Sequence, residues 1–330
     1  MTSCGASLVA LIAGRRLLRT WGFVLALASM MGAPSASWSQ RAVDDPSVQV
    51  EIRFLDVGQG DAVLIRLPNG RHILVDAGRN ATDVAALLAR EGVDTIELVV
   101  ASHNHADHIG GLAAVLEHFV VRNFLDNGIP AQTGPYRRLE DAVVKSGAKV
   151  LEAKARTLSL GTVKVRVLSL PPRLTKPNDN SVGLLLQYGE FRALLTGDSE
   201  RRELAHWLAN DSIPTVSLLK VAHHGAKNGT TLPWMEATRP LVAVISVGRN
   251  GYGMPAAEVL DGWRSVATHV ALTLDGGTVI VRATRDGRML LLRSDGTGLI
   301  PRTSRYRNER SGSNLRRRPY RGAIGGSGSR

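Results

Sequence analysis

The amino-acid sequence predicts an α/β (α+β) protein in which β-sheets are covered by helices. Short runs of β-branched and apolar residues recur along residues 48–293 and are typical of strands. Segments whose apolar residues recur at helical spacing lie between many of these runs. Strands mixed with helices in this way favour sheets packed against helical layers. An apolar content of 44% in 330 residues allows a sizeable core, in one large domain or two.

Turn residues and apolar spacing locate the elements of the first half. The turn segments 58–60 and 68–70 separate three short apolar runs, and the apolar run 96–101 ends directly before a polar loop. Val84, Leu87 and Leu88 recur at helical spacing. The first half is therefore predicted to contain strands at 48–57, 61–67, 71–76, 96–101 and 120–125, and helices at 81–91, 110–118 and 135–146.

The second half continues in the same manner. Its β-branched runs predict strands at 163–168, 181–188, 191–196, 216–222, 241–247, 269–273, 278–283 and 289–293. Helical spacing predicts helices at 200–208 and 256–266.

The N-terminal residues 1–39 are predicted to be an export signal. Arg15, Arg16 and Arg19 precede the apolar stretch 21–31 and a run of small residues, which is the order of a secretory signal. The paired arginines resemble a twin-arginine signal, so the route is Sec or Tat. The apolar stretch is shorter than the ~20 residues of a membrane span, which favours cleavage over a single-span anchor. We expect a periplasmic or extracellular protein with no stable membrane span after cleavage, and without its one cysteine, Cys4.

The C-terminal residues 301–330 are expected to be a disordered, arginine-rich tail. They contain nine arginines against one glutamate and almost no apolar residues, so they cannot repay the entropy of ordering. The formal net charge of +12 lies mostly at the two ends, and the body between them is nearly neutral. Tyr306 and Tyr320 lie among the arginines, so the tail could tether a polyanion; a merely solubilising tail is the alternative.

The most informative segment is the polar run His103-Asn104-His105-Ala106-Asp107-His108. It holds three of the nine histidines of the chain and directly follows the predicted strand 96–101. Neutral imidazole and carboxylate are ligands that divalent transition metals prefer. The backbone after a strand is irregular, so neighbouring side chains can converge on one point. The run therefore predicts a metal site.

This His-x-His-x-Asp-His run resembles the signature of the metallo-β-lactamase superfamily. Three further segments resemble its other motifs in the same order, with Asp76 in 73–78, Asp198 in 194–198 and His223 after 218–222. The strings at 54–61, 178–181 and 223–225 resemble the soluble hydrolase domain of ComEC-type DNA-uptake proteins and its secreted stand-alone relatives. The resemblance covers about 48–293 and implies a four-layer αββα sandwich for residues 40–300.

The resemblance also implies a binuclear centre of two divalent ions, Zn²⁺ or Mn²⁺. Its implied ligands are His103 and His105 for one ion, Asp107, His108 and His223 for the other, and Asp198 as the bridge. Two ions about 3.5–4 Å apart can hold a shared hydroxide, because metal binding lowers the pKa of water from ~15.7 to about 7. This predicts hydrolysis, with Asp107 as a catalytic carboxylate. Asp76 and Asp56 are candidates to orient the imidazoles, with a turn or strand-end cap as the alternative for each.

One departure concerns a histidine that lactamases and many relatives carry between the signature loop and the bridging aspartate. Only His118 falls in that interval, inside a predicted helix, and the corresponding place is the string 178–181. Asn180 could serve there as a weak oxygen ligand or hold the oxyanion of the substrate. A centre with fewer imidazoles could favour Mn²⁺ as much as Zn²⁺ and argues against a lactamase.

The adjacent histidines His223 and His224 cannot be separated by sequence alone. We expect His223 to be the ligand and His224 to face the substrate as an acid or phosphate contact. Lys227, Asp61 and Ser181 are further candidates for substrate contact, and a solvated loop lysine is the alternative for Lys227.

The predicted function is that of a secreted metal-dependent phosphodiesterase or nuclease, with single-stranded DNA or another nucleic acid as the favoured partner. A small-molecule phosphoesterase of the phosphocholine type is one alternative, which would need an aromatic cage from Trp234, Tyr252 and Trp263. β-Lactam hydrolysis is a second. A DNA-binding module without turnover is a third, against which the full set of predicted ligands argues. The oligomeric state is left open.

Overall fold

The computed structural model describes residues 49–79 and 81–299, so the predicted export signal and arginine-rich tail lie outside the described residues. Within these ranges, no helix has the length and hydropathy that crossing a membrane requires.

The first half alternates short strands with helices. Its strands are β1 (Gln49–Phe54), β2 (Val63–Arg66), β3 (His72–Val75), β4 (Thr95–Ile96), β5 (Leu98–Val100), β6 (Val120–Val121), β7 (Asn123–Leu125) and β8 (Lys149–Leu151). Its helices are α1 (Ala81–Arg90), α2 (Ala106–Ile109), α3 (Leu112–His118) and α4 (Gly134–Ser146).

The second half has the same composition. Its strands are β9 (Arg156–Leu160), β10 (Val163–Val167), β11 (Leu184–Tyr188), β12 (Phe191–Leu195), β13 (Leu218–Lys220), β14 (Val242–Ile245), β15 (His269–Leu272), β16 (Val279–Thr284) and β17 (Met289–Arg293). Its α-helices are α5 (Arg201–Asn210), α6 (Leu232–Thr238) and α7 (Ala257–Val266). Short 3₁₀ segments lie at Pro177–Asn180, Ala222–Gly225, Lys227–Gly229 and Thr273–Asp275.

The strands form two large sheets. One has the order β17-β16-β1-β2-β3-β5-β7-β8 and the other β15-β14-β13-β12-β11-β10-β9, while β4 and β6 pair separately. Strands β3, β5 and β7 are parallel, and so are β12, β13, β14 and β15. Parallel neighbours end at one edge of their sheet, so the loops that follow them come together there.

Three apolar layers give the molecule four layers of secondary structure. The inner layer joins the two sheets, and alternate residues of β1 such as Val50, Ile52 and Phe54 point into it. The outer face of the first sheet packs on helices through residues such as Leu74 and Leu88. A third layer covers the second sheet with α5, α6 and α7. The predicted αββα sandwich is therefore confirmed.

Three elements were not predicted from the sequence. Strand β8 is largely exposed and is the edge strand of its sheet. An exposed edge strand does not need an apolar pattern. Strand β9 is an edge strand with alternating exposure. Helix α6 begins at a Thr231 cap whose hydroxyl accepts from the Trp234 N–H, with Pro233 in the first turn. That Thr-x-Pro pattern is a helix-start signal that was available in the sequence.

The predicted helix 110–118 begins earlier and is divided in two. Helix α2 starts at Ala106, inside the signature loop, and ends at a pair of glycines before α3. A Cβ on Gly110 or Gly111 would collide with the carbonyl oxygens of Arg79 and Ala77, respectively. The glycine pair therefore lets the segment after Asp76 pack directly against the signature loop.

Gly60 fixes the contact between the β1–β2 turn and the signature loop. Its φ is +142°, and a Cβ there would overlap the carbonyl oxygen of Asp107. The next residue strengthens the contact, because the Asp61 N–H donates to the same oxygen at 3.1 Å. The β1–β2 turn is thus a support for the metal loop.

We expect Gly60→Ala to lower the free energy of unfolding by about 2–4 kcal/mol, because it adds a strained backbone angle to a steric overlap. Urea unfolding followed by circular dichroism measures this change. Gly251→Ala is the matched control, since no heavy atom lies within 4 Å of its added Cβ. Equal stabilities of the two variants would contradict this account of the turn.

Candidate metal centre

The signature loop leaves β5 at Val100 and is anchored by Ser102. The Ser102 N–H and hydroxyl both donate to the Asp76 carboxylate at 2.7 Å. The hydroxyl oxygen therefore accepts from His103 Nδ1 at 3.1 Å, which leaves His103 Nε2 without a proton and able to bind a metal ion. His103 Nε2 and His105 Nδ1 lie 2.9 Å apart, so these two imidazole nitrogens converge on one position.

Asp198, in the loop after β12, is the carboxylate on which the other donors converge. Its Oδ2 lies 3.2 Å from His108 Nε2, 3.4 Å from His224 Nε2 and 3.9 Å from His103 Nε2. Asp107 Oδ2 lies 3.6 Å from His224 Nε2. Four groups of possible ligands among the described residues have ligand atoms within 4.8 Å of one another: His103, His108 and Asp198; Asp107, His108 and His224; Asp61, Asp76 and His108; and Asp61, Asp198 and His224.

Hydrogen bonds behind the two central imidazoles set their orientation. His108 Nδ1 donates to the Asp76 carboxylate at 2.8 Å, and His224 Nδ1 donates to the backbone carbonyl of Ser246 at 2.8 Å. Each ring therefore presents its Nε2 to the centre, and both of these nitrogens are buried without a hydrogen-bond partner among the residues that the structure describes. Outer partners of this kind hold metal-binding histidines in the correct tautomer. The predicted orienting role of Asp76 agrees with these contacts.

The structure turns His224, which was predicted to face the substrate, toward the other donors, and leaves His223 farther from them. His224 is 2% exposed and its Nε2 faces Asp107 and Asp198. The His223 side chain is 16% exposed, and its Nε2 is 4.0 Å from Asp198 and 3.2 Å from the Asn178 amide. Both histidines have left-handed backbones, with φ of 50° and 51°. This rare conformation turns the second imidazole inward, which a sequence motif does not reveal.

The charges around Asp198 make the centre attractive to cations. Burial alone would raise the pKa of Asp198, but the imidazoles of His108 and His224 hold it well below its usual value. Burial would lower the pKa of each of these imidazoles. The Asp198 carboxylate, with Asp76, nevertheless raises the pKa of His108 well above normal, and Asp198 with Asp61 raises the pKa of His224 to about 10. The buried carboxylates thus demand positive charge, which protons or divalent cations can supply.

Lys220 closes the back of the centre. It ends β13, is 1% exposed, contacts the Asp61 carboxylate and donates to the Gly197 carbonyl at 2.7 Å. Its Nζ is also 3.7 Å from Asp198 Oδ1. Asp61 Oδ1 lies 3.5 Å from His224 Nδ1. Asp61 is buried behind the centre, so the expectation that it contacts substrate is wrong.

The donor set fits divalent metal ions. Partnerless buried imidazole nitrogens that face a buried carboxylate would be costly unless a cation satisfied them. His103 Nε2 lies near both His105 and Asp198, so these three residues could hold one ion. Asp107, His108 and His224 could hold another. The mixture of nitrogen and oxygen donors suits Zn²⁺ or Mn²⁺.

Asn180 and Ser181 do not have the predicted exposure to substrate. The Asn180 amide donates to the carbonyls of Leu174 and Lys176 and accepts from the Leu174 N–H. These bonds use the amide to fold its own loop, so the predicted role as a ligand or oxyanion contact is wrong. Ser181 is completely buried, donates to the Asn178 carbonyl and accepts from the Asp198 N–H at 3.2 Å. It supports the backbone of Asp198.

Two further predicted residues lie away from the donors. Asp56 is exposed, and its carboxylate accepts from the Gly58 N–H, so the turn cap is the correct alternative. Lys227 is exposed and its ammonium pairs with Glu258 at 2.7 Å, as expected of a solvated loop lysine.

Sequence reasoning missed three residues of the centre. Lys220 was hidden in the apolar run of β13, although a lysine in a buried strand is itself a signal of a buried anion. Asn178 was overlooked in favour of Asn180, two residues later. Glu200 accepts from the Asn178 amide at 3.3 Å and lies 3.9 Å from His223 Nδ1, and no sequence pattern indicated it.

Comparison with known proteins agrees with this geometry. The family model of the metallo-beta-lactamase superfamily matches residues 55–249, which include every donor described above. ComE operon protein 3 of Bacillus subtilis is 26% identical over 262 residues, covering 72% of this chain and 33% of that protein. Recombination protein 2 of Haemophilus influenzae is 28% identical over 255 residues, covering 74% and 30%. Both are ComEC-type competence proteins, and this chain spans about a third of their length.

Solved structures with lower similarity were also found. The metallo-beta-lactamase fold protein YhfI of Bacillus subtilis has a TM-score of 0.48 at 13% identity, covering 71% of this chain and 99% of that one. CmlA, a diiron beta-hydroxylase of Streptomyces venezuelae, has a TM-score of 0.48 at 19% identity, covering 71% and 53%.

The superfamily fold generally binds divalent metals, and its members are typically metal-dependent hydrolases. The His and Asp clusters of this chain lie at the strand ends within the matched region. The four-layer fold, the convergent donors and the family match agree, and the chain belongs to the metallo-β-lactamase superfamily.

Proposed function

We propose that this protein is an exported, metal-dependent phosphodiesterase whose centre holds two divalent cations, Zn²⁺ or Mn²⁺. The observation that carries the proposal is the convergence of imidazole and carboxylate donors around buried Asp198. One cation would be held by His103, His105 and Asp198, and the other by Asp107, His108 and His224, with Asp198 shared. When bound, the cations supply Lewis acidity and lower the pKa of water, which provides a nucleophile near neutral pH.

The protein's own groups prepare the centre for this chemistry. Asp76 and the Ser246 carbonyl hold His108 and His224 in the tautomer that presents Nε2. Lys220 offsets part of the buried negative charge. His223 is the partly exposed histidine of the adjacent pair and lies beside Asn178 and Glu200. It can donate an N–H to a phosphoryl oxygen or to the leaving oxygen.

A phosphodiester is favoured over a β-lactam for two reasons. The histidine that lactamases carry before the bridging aspartate is absent from the sequence, and Asn178 lies near the centre from that segment. The curated relatives are ComEC-type competence proteins, one of them named recombination protein 2, which favours a nucleic-acid backbone as substrate.

The phosphocholine alternative loses its support. The aromatic cage would need Trp234, Tyr252 and Trp263 to surround one cation. Trp234 and Trp263 are completely buried in the layer between the second sheet and its helices. Tyr252 alone is exposed, at 72%. These residues therefore do not form a cage.

We expect the full chain to hydrolyse bis-p-nitrophenyl phosphate with Mn²⁺ or Zn²⁺ and to leave nitrocefin intact. Asp107→Ala should lower kcat/KM by more than about 100-fold, which is the upper range for residues that only orient ligands. Asp56→Ala is the carboxylate control and should stay within about twofold of wild type. Nitrocefin turnover alone would identify a lactamase. DNA binding without turnover in either form would indicate a binding module.

The reversed assignment of the adjacent histidines predicts opposite effects of their removal. His224→Ala should lose metal, because His224 Nε2 faces the donors. His223→Ala should retain the metal content of wild type and lose about 100-fold in kcat/KM, as expected for a lost proton-donating contact. Inductively coupled plasma mass spectrometry of both purified variants measures the metal. Metal loss in His223→Ala with retention in His224→Ala would restore the sequence-based assignment.

A further inference from the structure

A surface groove of about 540 Å³ is lined by Glu200 and by residues of the loop that follows His223. Its charged lining residues are Lys176, Asp179, Glu200, Arg201, Arg202 and Lys227. We call it the basic groove. Its volume is in the range of pockets that hold drug-sized ligands, so it can accept more than one phosphate group.

Glu200 links the basic groove to the histidine at the edge of the centre. This residue lines the groove, accepts from the Asn178 amide at 3.3 Å and lies 3.9 Å from His223 Nδ1. Lys227 follows His223 by four residues and also lines the groove. Part of the groove lining therefore lies beside His223 in space, through Glu200, and in sequence, through Lys227.

Two of the four cations in the groove lack a protein counterion. Lys176 pairs with Glu200 at 2.8 Å, and Lys227 pairs with Glu258 at 2.7 Å. Arg201 and Arg202 are both exposed, and neither has an ion-pair partner among residues 49–79 and 81–299. They lie in the first turn of α5, where the helix dipole adds partial positive charge. Asp179 is buried, its carboxylate accepts from the Glu203 N–H at 3.3 Å, and it forms no ion pair with either arginine.

We propose that the basic groove binds the backbone phosphates of a single-stranded nucleic acid and guides it to the metal centre. Arg201 and Arg202 are the principal phosphate contacts. A single strand is favoured because His103, His108, Asp198 and His224 are almost completely buried, so the scissile phosphate must enter between loops. A flexible strand can enter in this way, whereas a duplex holds its phosphates on a stiff surface. This inference rests on the proposed phosphodiesterase function and names its substrate class.

The test measures binding and turnover of a single-stranded oligonucleotide by the full chain carrying Arg201→Ala and Arg202→Ala. Loss of two phosphate contacts should make the slope of log K against log salt concentration shallower by about 1.4. Between 1 M and 0.1 M salt, the wild type should therefore gain roughly 25-fold more affinity than the variant gains. The unchanged C-terminal arginines contribute equally to every variant, so the difference in slope reports the groove. The oligonucleotide kcat/KM should fall at least about tenfold relative to that for bis-p-nitrophenyl phosphate in the same variant.

Arg90→Ala with Arg264→Ala is the charge-matched control. Both arginines lie in the last turn of helices, α1 and α7, away from the basic groove. This control should keep the wild-type salt slope and wild-type turnover of both substrates. A wild-type slope in the Arg201/Arg202 variant, an equal loss in the control, or equal or better cleavage of duplex than of single strand would overturn the inference. If wild type fails on bis-p-nitrophenyl phosphate, the proposed function itself fails, while the salt slopes still decide whether the groove binds nucleic acid.

Discussion

The buried carboxylate of Asp198 is the constraint to which the rest of the centre responds. An ionised carboxylate taken out of water costs several kcal/mol unless opposite charge compensates it. Here the compensation comes from the imidazoles of His108 and His224 on one side and the ammonium of Lys220 on the other. A site arranged to stabilise protonated imidazoles around carboxylates is equally suited to divalent cations.

The two sheets bring segments that are distant in sequence together at the centre. The first sheet contributes Asp76 and the signature loop, which follow the parallel strands β3 and β5. The second contributes Asp198 and His224, which follow β12 and β13. The inner apolar layer fixes the two sheets against each other. The four segments are therefore held at defined positions relative to one another, as a metal site requires. Strained backbones at Asp76 and His224 complete the geometry.

The fold and most of the candidate donors could be predicted from the sequence because local sequence patterns indicate both. Runs of β-branched and apolar residues predicted the strands, and His103, His105, Asp107 and His108 lie in one loop. Sequence reasoning failed where backbone conformation or a distant contact decides. The left-handed backbone at His223 and His224 turns the imidazole of His224, instead of that of His223, toward the other donors. The Asn180 amide forms hydrogen bonds within its own loop. The partnership of Lys220 with Asp61 joins residues 159 positions apart, which no local pattern encodes.

We propose that the buried carboxylate of Asp198 is shared by two metal ions. A crystal structure of the full chain soaked in Mn²⁺, with anomalous diffraction recorded at the manganese edge, tests it most directly. We expect two anomalous peaks about 3.5–4 Å apart, with the Asp198 carboxylate between them and Nε2 of His224 beside one of them. A single peak, or two peaks without Asp198 between them, would contradict it.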